Sequence, residues 1–144
     1  MSSAKAKDGT REELVLKFLA YKTKRDDFKH SVETFLNDFM AESSVHFNYK
    51  KYRELFEKTF ESLRVALPDG IKRGNKGSTP QVLFEAVSVG AADAIEEGVD
   101  ISNSDVANWI DDEELRRLTT GATNSGPRLR ERIEYCRVRF VGNV

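Results

Sequence analysis

The sequence predicts an all-α protein, a single compact bundle of five to seven helices. Three observations carry that expectation. Apolar residues recur at helical spacing, as in Val32, Phe35, Leu36, Phe39 and Met40 at i, i+3, i+4, i+7 and i+8. The apolar stretches are separated by helix-ending and helix-starting residues, such as Pro68-Asp69-Gly70 and Ser125-Gly126-Pro127. No βαβ alternation and no internal repeat accompany them.

The elements follow in order. Residues 1–10 are small and charged and are expected to form a flexible tail, with the helical domain occupying 11–144. Thr10 offers an N-cap with Glu13 at the capping-box distance, and Leu14, Phe18 and Tyr21 make a helical stripe, so 11–22 reads as the first helix. Ser31 is a candidate cap for the second, and Asn48 for the third, which covers about 48–66 with Tyr52, Leu55, Phe56, Phe60 and Leu63 on one face. Phe35, Leu36 and Phe39 are expected to share one core with Tyr52, Phe56 and Phe60, between the second and third helices.

Residues 69–78 form a glycine-rich basic loop holding Lys72, Arg73 and Lys76, and Thr79-Pro80 then opens a fourth helix. That helix has a broad face of small residues, including Ala86, Gly90, Ala91 and Ala94, and reads as central, ending at Gly98. One helix or two short ones follow over about 103–119, with Asp111 and Glu114 placed to cap a restart. Leu129, Ile133, Cys136 and Phe140 give the last helix its stripe, although RVRFV also alternates like a strand.

Composition narrows the function classes. A chain of 144 residues allows one domain, and 39% apolar with 33% charged residues excludes both an intrinsically disordered chain and a membrane protein. The apolar runs are far short of about 20 residues, so no membrane partner is expected. MSSAKAKDG has no apolar signal region, and a single cysteine fits a reducing compartment, so the expected location is cytoplasmic. Lys and Arg number 23 against 24 Asp and Glu, a net charge of −1 that argues against non-specific polyanion binding by the whole molecule.

No catalytic signature emerges. GIKRGNKGST at 70–79 fails the P-loop pattern because Asn75 and Gly77 flank Lys76, and a helix rather than a strand precedes it. The basic loop reads as solvated. His30 and His46 share no metal-ligand spacing. Cys136 sits on an apolar face and reads as a buried thiol. No catalytic residue, metal or cofactor is therefore assigned.

Charge distribution says more than its sum. Nine acidic residues and no Lys or Arg occupy 93–114, whereas 116–139 carries seven arginines against Glu131 and Glu134. Asn124-Ser125-Gly126-Pro127 precedes the last helix, whose first N–H groups lack intrahelical partners. One reading is that Ser125, Arg128 and Arg132 engage a phosphate, that of DNA above all. The other is that Ser125 caps the helix while the arginines meet Glu131, Glu134 or the acidic segment.

Several segments, taken in order, share the wording of one family. They are REELVLKFLA at 11–20, FLNDFM at 35–40, the aromatic-rich helix at 49–63, LFEAV at 83–87 and TGATNSGPRLRERIEY at 120–135. Together they resemble the C-terminal helical region of the GmrS-type, ParB-fold nuclease family of prokaryotic defence proteins. The resemblance covers residues 11–140. In that family a ParB-like N-terminal domain is associated with nucleotide-dependent nuclease chemistry. Its D-G-Q-Q-R-like marker is absent here, as is the F-Q-R opening, so no catalytic residue carries over. The resemblance implies a helical accessory module, as a fragment, split subunit or separate partner, that docks a ParB-like domain and assists DNA recognition or regulation. A free-standing nucleic-acid-binding module is the alternative expectation, and an independent enzyme the third.

Overall fold

The computed structural model describes residues 3–29, 31–46, 48–71, 81–121 and 125–142, with side chains described outside 3–12 and 44–46. The described residues form seven α-helices: α1 (Ser3–Lys24), α2 (Val32–His46), α3 (Tyr49–Ala66), α4 (Gln81–Glu96), α5 (Val106–Trp109), α6 (Glu113–Thr119) and α7 (Gly126–Val141). Short 3₁₀ turns lie at Arg25–Asp27 and Ile101–Asn103, and there is no strand among the described residues. No helix among them is long and apolar enough to cross a membrane.

Capping chemistry sets most boundaries. Ser31 Oγ accepts from Thr34 N at 3.2 Å, Asn48 Oδ1 from Lys51 N at 3.1 Å, and Ser125 Oγ from Arg128 N at 3.3 Å. α4 ends in a Schellman arrangement: Gly98 N donates to Ile95 O at 2.9 Å and Val99 N to Ala94 O at 3.1 Å. Gly98 takes φ +92° there, a left-handed conformation that glycine adopts without a Cβ penalty.

Two boundaries differ from the sequence expectation. α1 already runs from Ser3, so Thr10 is interior to the helix and does not cap it. At the restart after α5, Asp112 rather than Asp111 is the cap, its Oδ1 accepting from Leu115 N at 2.8 Å. Asp111 is turned instead toward Arg116, at 2.8 Å. The region 103–119 thus resolves into two short helices, and 137–141 continues α7 rather than forming a strand. Thr79-Pro80 lies outside the described residues.

α4 is the axis of the bundle. Every residue from Glu85 to Ile95 is buried, the signature of a helix covered on all sides. Its most extensive neighbour is α7, which buries Leu129, Ile133, Cys136 and Phe140 against it. One cluster gathers Leu63, Leu67, Leu83, Val87, Trp109, Leu115, Cys136 and Phe140. The other gathers Phe18, Tyr21, Phe28, Phe35, Phe39, Val89, Leu129 and Ile133.

The expected core between α2 and α3 is built differently. α1 lies between them: Phe18 meets Phe56 edge-on at 5.2 Å, and Tyr21 stacks on Phe35 at 5.5 Å. Phe35, Leu36 and Phe39 are buried, whereas Tyr52, Phe56 and Phe60 are only half-buried. Met40, the fifth member of the α2 stripe, is 47% exposed. A stripe of five exceeds the surface that α1 alone covers, so its edge is left in solvent.

Candidate functional site

α1, α4 and α7 enclose a line of charge that the apolar patterning conceals. Glu85 sits one turn from the start of α4 and is buried; Lys17 Nζ of α1 lies 3.4 Å from its carboxylate. Tyr21 and Arg132 belong to the same surroundings, at 2% and 3% exposure. Burial raises the Glu85 carboxyl above its ordinary range, although Lys17 and Arg132 both act to lower it. Burial likewise lowers the Arg132 guanidinium, with Glu85 and Tyr21 opposing that trend. Further along α1, Lys22 Nζ reaches Asp93 at 3.1 Å and Glu96, while Arg25 Nη2 lies 2.6 Å from Asp93 Oδ2. Burial works against the charged form of Lys22, but hydrogen bonds and charge from Glu96 and Asp93 outweigh it and raise its pKa. These contacts pin the length of α1 to α4 in a fixed register.

The N-terminus of α7 is where the sequence points to a phosphate. Ser125 is occupied as the helix cap. Arg128 is half-buried, and Arg132 is turned into the α1–α4–α7 interior. The three side chains therefore do not share an exposed surface. Gly126 is packed so closely that an added Cβ would lie 2.7 Å from the Phe28 carbonyl oxygen, which closes this helix end against the loop after α1.

The remaining arginines largely meet carboxylates. Arg116 pairs with Asp111, Arg117 with Glu114 and Glu131, and Arg137 with Glu97 and Glu134. Arg139 lies 5.7 Å from the Trp109 ring and 5.9 Å from the Tyr135 ring. The acidic 93–114 segment and the arginine-rich segment thus neutralise one another across α4, α6 and α7. Tyr135 donates to Asp112 Oδ2, and burial together with that carboxylate pushes its phenol up to about 12.

Cys136 is fully buried, and burial pushes its thiol well above the ordinary range, so the thiolate needed for nucleophilic chemistry is suppressed. Among the described residues no group of His, Cys, Asp and Glu has the arrangement to hold a metal ion. Lys72, Arg73 and Lys76, together with His30, lie outside the described residues, and the His46 side chain does too.

The buried charges Lys17, Glu85, Lys22 and Asp93 were not singled out by sequence reasoning. A signal existed: Glu85 and Asp93 are carboxylates inside LFEAVSVGAADAI, an otherwise apolar run, where an acid needs a partner. No protein-family model, curated protein or solved structure matches this chain.

Proposed function

We propose that this chain is a helical accessory module of a ParB-fold defence nuclease, working in the cytoplasm by docking the catalytic domain and supporting its DNA recognition or its regulation. One observation supports the reading. Three of the five segments that resemble the family meet in one cluster: REELVLKFLA supplies Phe18 and Ala20, FLNDFM supplies Phe35, Leu36 and Phe39, and TGATNSGPRLRERIEY supplies Leu129 and Ile133, while LFEAV supplies Leu83, Ala86 and Val87 to the other. Segments packed into a shared core describe a body that folds as a unit, as a docking module must.

The docking role is favoured over free-standing DNA binding by the fate of the arginines. Within 116–139, Arg116, Arg117 and Arg137 already meet carboxylates and Arg132 is buried, so four of that segment's seven arginines are engaged or turned away from backbone phosphates. Co-purification of the tagged chain with a separately expressed ParB-like catalytic domain of the family tests the reading. A stoichiometric complex is expected. Failure to bind, combined with salt-sensitive duplex binding by the chain alone, overturns it in favour of a DNA-binding module.

A further inference from the structure

α2 divides its apolar stripe between two destinations. Phe35 and Phe39 turn inward, Phe35 against Tyr21 and Phe28. Val32, Leu36 and Met40, spaced at i, i+4 and i+8, form a second row along the flank facing α1. With Leu16 of α1 they line a groove of about 560 Å³, whose rim carries Glu13, Glu33 and Asn37. Leu36, the middle of the row, is buried, but Val32 and Leu16 are half-buried and Met40 is 47% exposed, so the row is left open toward its ends and chiefly at Met40.

Among the described residues lining the groove, the charge has one sign: the only ionisable groups are the carboxyls of Glu13 and Glu33. α2 carries Glu33, Asp38 and Glu42 and no Lys or Arg over its 15 residues. The hollow on the other flank of α2 adds Asp26 and Asp27 to Asp38 and Glu42, against Lys24 and Lys29.

We propose that this groove is a docking site for a basic amphipathic helix of a partner protein. Three apolar positions, from Val32 to Met40, span about 12 Å, a little over two helical turns, so a helix lying along α2 can set successive apolar side chains between Val32, Leu36 and Met40. Lysine or arginine flanking those side chains meets Glu13 and Glu33, while an acidic helix is repelled by the same rim. The unbranched Met40 side chain adapts its shape to what it covers. The inference does not depend on the nuclease reading, because it requires charge and periodicity of the partner helix, not a particular fold.

The test uses the full chain, ¹⁵N-labelled, and two synthetic peptides of roughly 18 residues, long enough for about five turns. Both place leucine at i, i+3, i+4 and i+7; one carries lysine at most other positions, the other glutamate. The lysine peptide is expected to shift amide signals of residues 13–16 and 32–40 and to saturate, and the glutamate peptide to leave them unmoved. Met40→Lys combined with Glu33→Lys alters two exposed positions, so helicity by circular dichroism is expected to persist while affinity falls about tenfold or more. Four results overturn the proposal. They are absence of binding, equal binding of both peptides, shifts centred on another acidic surface such as Glu113 and Glu114, and unchanged affinity in the folded double variant. Sedimentation of the peptide-free chain adds a fifth: a dimer lost in that variant makes a second copy the occupant instead.

Discussion

Replacing Gly90 by alanine places one methyl group where the two central helices touch. The new Cβ would lie 2.6 Å from Cys136 Cβ, 2.9 Å from Arg137 N and 3.0 Å from the Ile133 carbonyl oxygen. Carbon atoms pack best at about 3.5–4.0 Å, so α4 and α7 must separate locally by on the order of 1 Å. Two of the three obstacles are backbone atoms, and no rotamer change moves them. Alanine gains about 1 kcal/mol of helix propensity over glycine, and overpacking of this kind costs about 1–3 kcal/mol or more. Because the obstruction is backbone, the upper part of that range applies, and the expected net loss is about 1–2 kcal/mol. For a domain of this size that lowers the melting midpoint by roughly 3–8 °C. Urea melts of the parent, Gly90→Ala, Cys136→Ala and the double variant measure it. Cys136→Ala removes Sγ but keeps Cβ, so it should not rescue Gly90→Ala. A Gly90→Ala protein as stable as the parent, or more so, would refute the close approach of α4 and α7.

Phe39→Ala should cost about 3–5 kcal/mol in a chemical melt, because the ring is only 4% exposed and its removal leaves a cavity beside α1. Arg132→Ala should destabilise by about 1–3 kcal/mol, whereas Arg137→Ala, at a half-exposed pair, should lose less than about 1 kcal/mol; thermal melts of the two variants check the ordering. Glu85→Gln should change the pH dependence of stability. Burial raises the folded-state pKa of Glu85, so the folded protein holds this proton more tightly than the unfolded chain, and the contribution present below the unfolded pKa fades as pH rises through the folded value. The stability of Glu85→Gln relative to the parent should therefore increase from about pH 4 to about pH 7, measured by urea melts across that range. Ser125→Ala should cost about 0.5–2 kcal/mol through loss of the α7 cap without altering any binding of duplex DNA, read by melts and fluorescence anisotropy in parallel.

Local chemistry was written plainly in the chain. Ser31, Asn48 and Ser125 are caps because a short polar side chain before an apolar-periodic run has an unpaired backbone N–H within reach. The face of α7 is Leu129, Ile133, Cys136 and Phe140, as their spacing dictates. The small-residue face of α4 marks a central helix for the same kind of reason: without large side chains, Gly90 lets α7 come to backbone contact. Where two neighbouring residues had equal chemistry, as at Asp111 and Asp112, spacing could not choose, and the turn after α5 decided which carboxylate faces Leu115 N.

What periodicity could not supply is the partner of each face. Helical spacing states which residues lie together but not which helix covers them. That is why α1 rather than α3 stands against α2, and why Met40 is left at the edge of its own stripe. The same holds for charge. The sequence alone determined an all-helical chain with a basic segment beside an acidic one. Only the tertiary structure decided that Arg132 points inward toward the surroundings of Glu85, and that Lys17 and Lys22 of α1, with Arg25 in the turn after it, meet the acids of α4. Electrostatic partners such as Lys22 and Glu96 lie far apart along the chain, and their pairing is set by which helices share a desolvated interface. No local pattern contains that information.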